Sequence, residues 1–206
     1  MVTFQEFPKI PRLRRELVVT EKIDGTNAAV VWAPYDGNPT DPNVITCRGM
    51  KDQHGVDLGN YALLAQSRSR FITPTADNYG FAGWVQRNAD ELAKLGPGAH
   101  FGEWWGNGIQ RRYDQQEKRF SLFNVMRWGA QNPSTPACCS VVPILGRDAR
   151  DSVIQNALDD LRTNGSRAAP GFMKPEGIIV WHSAARSYFK VLLEGDDIPK
   201  GKGEAS

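Results

Sequence analysis

Apolar residues are spaced along this chain in two rhythms. Short β-prone runs bounded by turn formers predict strands at Leu17-Val18-Val19, Ala28 to Trp32 and Val44 to Arg48. The segment Asp36-Gly37-Asn38-Pro39-Thr40-Asp41-Pro42-Asn43, dense in turn formers, suggests that the second and third runs form a hairpin. Helical spacing is read over residues 60–71 and 82–95, the latter through Trp84, Val85, Leu92 and Leu95 with a stop at Gly96-Pro97-Gly98. Further strands are expected at His100 to Trp105 and Phe120 to Met126, and Gln131 to Pro136 reads as a polar surface loop. Residues 149–163 spell an amphipathic helix, with Val153, Ile154, Ala157, Leu158 and Leu161 on one face and Asn164-Gly165 as its stop. Two last strands, Gly177 to Trp181 and Tyr188 to Leu193, are joined by a polar turn. Residues 1–16, basic and punctuated by proline, read as an extended lead-in, and Gly201 to Ser206 as a frayed end. Strands linked by short turns, with helices inserted in blocks, predict an α+β fold built on antiparallel sheet.

Length and composition narrow the class. A chain of 206 residues with 40% hydrophobic content can bury a core, and nothing in its composition marks an internal boundary, so one domain over 1–206 is expected. The net charge of +2 makes any nucleic-acid footprint local, as in Lys9, Arg12, Arg14 and Arg15, in Arg68 and Arg70, or in Arg111-Arg112. Three cysteines, two of them vicinal, do not make a paired disulfide framework, which points to a reducing compartment. The three histidines show no zinc-ligand spacing with them. No run approaches the roughly 18 apolar residues of a membrane span, and the N-terminus lacks a signal-peptide core. A cytoplasmic protein with no membrane partner is expected.

The chemistry concentrates in Glu21-Lys22-Ile23-Asp24-Gly25-Thr26-Asn27, which puts an amine, two carboxylates and a glycine turn into seven residues between two apolar runs. Lys22 is the candidate nucleophile, active when deprotonated. Asp24 is a candidate turn cap, and Gly25 is expected to supply a backbone angle that side chains forbid. Glu103, Glu176 and Lys190 each interrupt or close a strand-like apolar run, where a charge is costly without a partner. Together with Lys22 they suit a pocket for a nucleotide triphosphate and a metal ion.

In this order the segments resemble the covalent nucleotidyltransferases, and within them ATP-dependent RNA ligases of the phage RNA ligase 2 type. Residues 21–27 resemble the family's first motif, Thr46-Cys47-Arg48 its following arginine-bearing strand, Phe101-Gly102-Glu103 the third motif and Phe120 to Asn124 its aromatic extension. Pro175 to Val180 and Phe189-Lys190-Val191 are similar to the fourth and fifth motifs. The resemblance implies a nucleotidyltransferase fold and attack by Lys22 on ATP to give lysyl-AMP. AMP then passes to an RNA 5′-phosphate, and a 3′-hydroxyl displaces it. It also implies roles for individual residues: Lys190 on the α-phosphate, Glu176 on Mg²⁺ (or Mn²⁺), Glu103 on the ribose, and Phe123, or second Phe120, stacked on adenine. Glu21, Asn27 and Arg48 would make further nucleotide contacts. The fifth motif commonly carries two lysines one residue apart, whereas Leu192 follows here, with Lys174, Lys200 or Lys202 as candidate substitutes. The family member used for comparison carries a further C-terminal domain, so the chain reads as a bare nucleotidyltransferase domain. A minimal DNA ligase and an inactive binding relative are the other readings. The Trp104-Trp105 pair and Trp128 are read as core.

Overall fold

The computed structural model describes residues 3–37, 41–52, 54–129 and 131–196. Lys200, Lys202, the frayed end and the middle of the predicted turn, residues 38–40, lie outside them. In chain order the elements are β1 (Leu17–Lys22), β2 (Thr26–Pro34), β3 (Thr46–Lys51), β4 (Asp57–Ser67), β5 (Phe71–Ile72), α1 (Phe81–Arg87), α2 (Ala89–Leu92), a 3₁₀ turn (Ala93–Leu95), β6 (Gly98–Gly106), β7 (Lys118–Leu122), β8 (Cys139–Val141), β9 (Ile144–Asp148), α3 (Ser152–Asn164), β10 (Gly177–His182) and β11 (Ser187–Leu192). They fall into two compact units, residues 1–22 with 143–206 and residues 23–142.

The first unit is a four-stranded antiparallel sheet in the order β11-β10-β1-β9. The predicted helix forms as α3 and ends at Gly165, whose φ of 75° closes it. Its stripe of Val153, Ala157, Leu158 and Leu161 packs on Leu17, Val19, Ile178 and Val180, one face of β1 and β10. The final hairpin, β10 with β11, forms as predicted. Residues 3–16 carry no regular secondary structure; His182 Nε2 lies 2.7 Å from the Leu13 carbonyl oxygen and ties the segment down.

The second unit is a sheet in the order β3-β4-β2-β6-β7-β8, with β5 added on β4. All pairs are antiparallel except β7 with β8. Its core gathers Val30, Trp32, Leu63, Phe81, Val85, Trp104, Phe120 and Leu122, and Trp105 and Trp128 are buried too, in keeping with the core reading of the tryptophans.

Two expectations fail here for one reason. Residues 60–71 are mostly strand: β4 runs through Ala62-Leu63-Leu64-Ala65, four consecutive buried residues between β2 and β3. A strand covered on both faces shows no alternation, and its Ala-Leu composition imitates a helix. With β4 inserted, β2 and β3 are not neighbours, so the predicted hairpin between them does not form. The strand expected through Met126 ends at Leu122.

Candidate nucleotidyltransferase site

In the first unit Lys22 closes β1 and pairs across the ladder with Gly177, the first residue of β10. Glu176 immediately precedes that glycine, and its Oε2 forms an ion pair with Lys22 Nζ. The two side chains are 24% and 17% exposed, so the pair is screened from water yet reachable. Gly177 is required by packing, since a Cβ there would collide with the Val191 carbonyl oxygen. Cross-strand partners project to the same sheet face. Thr20, Ile179 and Lys190 form one row, and Lys22, Gly177 and Leu192 the next, so Lys22 and Lys190 share the face opposite α3.

Alternation sends Glu21 the other way. It is 1% exposed, and its carboxylate accepts hydrogen bonds from Ser166 Oγ (2.5 Å) and from the backbone N–H groups of Arg167 and Ala168 (2.8 Å each). Burial raises its pKa above the usual carboxylate value, outweighing the three donors that pull it down. The Glu21 side chain therefore anchors the 166–168 loop on the face away from Lys22.

In the second unit the residues after Lys22 are held by three side chains. Glu103 Oε1 accepts the Gly25 N–H at 3.1 Å, the Tyr113 hydroxyl oxygen accepts the Asp24 N–H at 2.9 Å, and Arg111 Nε donates to Asp24 Oδ2 at 3.1 Å. Asp24 thus forms an ion pair rather than capping its own turn. Gly25 is also corrected: its φ is not in the left-handed region, and the constraint is space, because a Cβ would lie 2.5 Å from Trp104 O and 2.7 Å from Trp105 Cβ. Asn27 faces Glu103 across β2 and β6.

Phe123 is half-buried beyond the end of β7, its N–H donating to Phe101 O. Phe120, the second choice for stacking, is fully buried with ring centroids 5.0 Å from Phe81 and 5.6 Å from Trp84, which makes it a core residue. Arg48 is set apart from Asn27 and Glu103. Through Tyr61 it shares the row of Pro34, seven residues along β2 from Asn27, about 23 Å at the usual strand rise. Its guanidinium instead donates to Asp90 at 3.0 Å on the surface.

The sequence reading missed Tyr113, the role of Arg111, the 166–168 loop and Phe101, which is 46% exposed on the Glu103 side of β6. Alternation from Glu103 could have found Phe101. Nothing local marks Tyr113, which lies in a loop where Gln110, Arg112, Tyr113 and Asp114 all have positive φ. Among the described residues no group of three or more His, Cys, Asp or Glu side chains could hold a metal ion, and no helix is long and apolar enough to cross a membrane. A hard cation brought on a nucleotide's phosphates needs only one or two protein carboxylates, a requirement that Glu176 fits.

A strand-end lysine paired with a carboxylate, on a two-sheet α+β scaffold, belongs to the nucleotidyltransferase-type fold, and comparison with solved structures bears out that fold. Naegleria gruberi RNA ligase with PPi matches with a TM-score of 0.55 at 18% identity, over 87% of this chain and 50% of that one. A mutant of the same ligase with ATP and Mn matches at 0.54 and 16%, over 89% and 51%. Another, with AMP and Mn, matches at 0.53 and 17%, over 93% and 57%. The chain therefore spans about half the length of these ligases. The RNA ligase family matches residues 15–192, and the chain belongs to it. No curated protein matches the chain.

Proposed function

We propose that this chain is the nucleotidyltransferase part of an ATP-dependent RNA ligase that joins a 3′-hydroxyl to a 5′-phosphate. The observation that carries the reading is the Lys22–Glu176 pair at the end of β1, with Lys190 on the same face. It is supported by membership of the RNA ligase family.

Lys22, as the free amine, attacks the α-phosphorus of ATP; a P–N bond forms, the bond to the β-phosphate oxygen breaks, and pyrophosphate leaves. AMP then passes to the RNA 5′-phosphate oxygen with loss of the P–N bond, and a 3′-hydroxyl displaces AMP to form the phosphodiester. Transfer of this kind needs positioning and charge neutralisation more than proton traffic. Lys190 supplies a cation to the α-phosphate. Glu176 orients Lys22 and would hold Mg²⁺ or Mn²⁺. That ion neutralises phosphate charge when bound. Glu103 and Asn27 are assigned to the ribose and phosphates, and Phe123 or Phe101 to adenine. The free cysteines, Cys47, Cys138 and Cys139, support work in the cytoplasm.

Intact-protein mass after incubation with ATP and Mg²⁺ tests the reading. A gain of one AMP that disappears in Lys22→Ala supports it; no gain in folded wild-type protein overturns it in favour of a binding-only relative. Sealing of RNA but not DNA strands by the labelled protein separates RNA from DNA ligase.

A further inference from the structure

The sheet face that carries Lys22 and Lys190 continues into a pair of rings that the proposed chemistry does not use. Trp181 on β10 and Tyr188 on β11 are direct cross-strand partners, with ring centroids 4.5 Å apart and planes at 46°. Their row continues through Val18 to the exposed Arg147 on β9. Tyr188 is 65% exposed, although a tyrosine in a cross-strand aromatic pair is usually a means of burying surface. Between this row and that of Lys22 stands the row of Lys190, which is exposed as well. The face thus carries Lys22, Lys190, then Tyr188 over Trp181, with Arg147 in the same row beyond the buried Val18, four residues along the strands, or roughly 13 Å.

Rings beside cations at this scale match a polynucleotide strand, whose bases stack on aromatic faces and whose phosphates pair with Lys and Arg. A lone nucleotide needs one stacking surface and one phosphate site; a ring pair beyond those the nucleotide uses suits a polymer. Resting on the ligase reading above, we infer that Trp181 and Tyr188 form a stacking platform for single-stranded RNA that leads the strand toward Lys22. Arg147 contacts its phosphates, and base identity is not read.

Phe189 provides the control, because it neighbours Tyr188 on the same strand and is 54% exposed, but points to the α3 side. Binding of a fluorescein-labelled single-stranded RNA of mixed sequence is measured by anisotropy for the full chain. Tyr188→Ala is expected to weaken binding about 10-fold, Tyr188→Phe to retain it, and Phe189→Ala to bind as wild type does. Tyr188→Ala binding as tightly as wild type overturns the platform, and so does an equal loss in Phe189→Ala, which would report strand packing. Unchanged RNA affinity with loss of self-association in sedimentation also overturns it, in favour of a protein-docking face. AMP transfer to wild-type Lys22, followed by mass in parallel, tests the ligase reading separately, since that step involves no RNA.

Discussion

Leu192 stands on the same cross-strand row as Lys22, two strands away and on the same sheet face, with Gly177 between them. A lysine at 192 would point a second ammonium across the glycine toward the phosphates that Lys22 attacks. A hydrogen bond to a charged group is worth about 1.5–3 kcal/mol. Leu192→Lys is therefore expected to lower the KM for ATP in lysyl-AMP formation about 10-fold, with a steeper dependence on salt. A KM unchanged or raised in steady-state labelling would show that the phosphate contact is already made elsewhere, with the exposed Lys174, two residues before Glu176, the first residue to test.

Gly25→Ala should damage both stability and reaction. The added methyl would overlap Trp104 O and Trp105 Cβ, and neither backbone nor a buried ring can retreat cheaply. Overpacking of this kind costs about 1–3 kcal/mol. Thermal unfolding should register that loss, and AMP labelling should slow, because Gly25 is three residues from the nucleophile. A variant of wild-type stability and rate would place Gly25 outside the machinery.

These two sites mark what was legible in the sequence. The strands that carry or adjoin Lys22, Glu176, Glu103 and Lys190 could be read because a charge interrupts or closes each apolar run, and α3 because its stripe meets one sheet face only. Residues 60–71 were misread because β4 is buried on both sides, which erases the period of two. Tyr113 was invisible because its contact with Asp24 spans 89 positions and is set by a loop of unusual backbone angles. Glu21 carried a signal, since it neighbours Lys22 in a strand and so must face the other way. That alternation separates the buried anchor from the candidate nucleophile.

Tyr113→Phe removes from the clamp on the lysine loop the hydroxyl that accepts the Asp24 N–H. The ring would keep its edge contact with Trp105, at 5.3 Å between centroids, while the Asp24 N–H loses its hydroxyl partner. About 1 kcal/mol of loop order is at stake. The expected outcome is a several-fold fall in the rate of lysyl-AMP formation with KM for ATP near wild type, measured by rapid-quench labelling. A change in KM alone would mean that Tyr113 acts on nucleotide binding instead.

Glu21→Ala is expected to cost about 3 kcal/mol, since it removes the acceptor of the buried Ser166 hydroxyl and of two part-buried backbone N–H groups. Glu21→Gln should recover part of that loss, because the amide oxygen still accepts but its NH₂ faces donors. Urea midpoints for the three proteins check the order wild type, Gln, Ala; equal midpoints would mean that the loop is held by other contacts.

His100 is a buried titrating group of the second unit. It is 5% exposed, its Nε2 lies 3.0 Å from Gly96 O, and its ring meets the edge of Trp128. Burial pushes its pKa below the usual 6.5, with the Arg127 charge adding to the effect. The folded-state value is thus lower than the unfolded one, so the unfolded chain takes the proton first as pH falls below 6.5. Stability from this residue is complete above that pH and drains away as pH drops toward the depressed value. His100→Gln keeps a polar group near Gly96 O without a titrating ring. Its urea midpoint should be lower than wild type at pH 8 and should fall less between pH 7 and 5. Parallel pH profiles for the two proteins would assign the acid sensitivity to other groups.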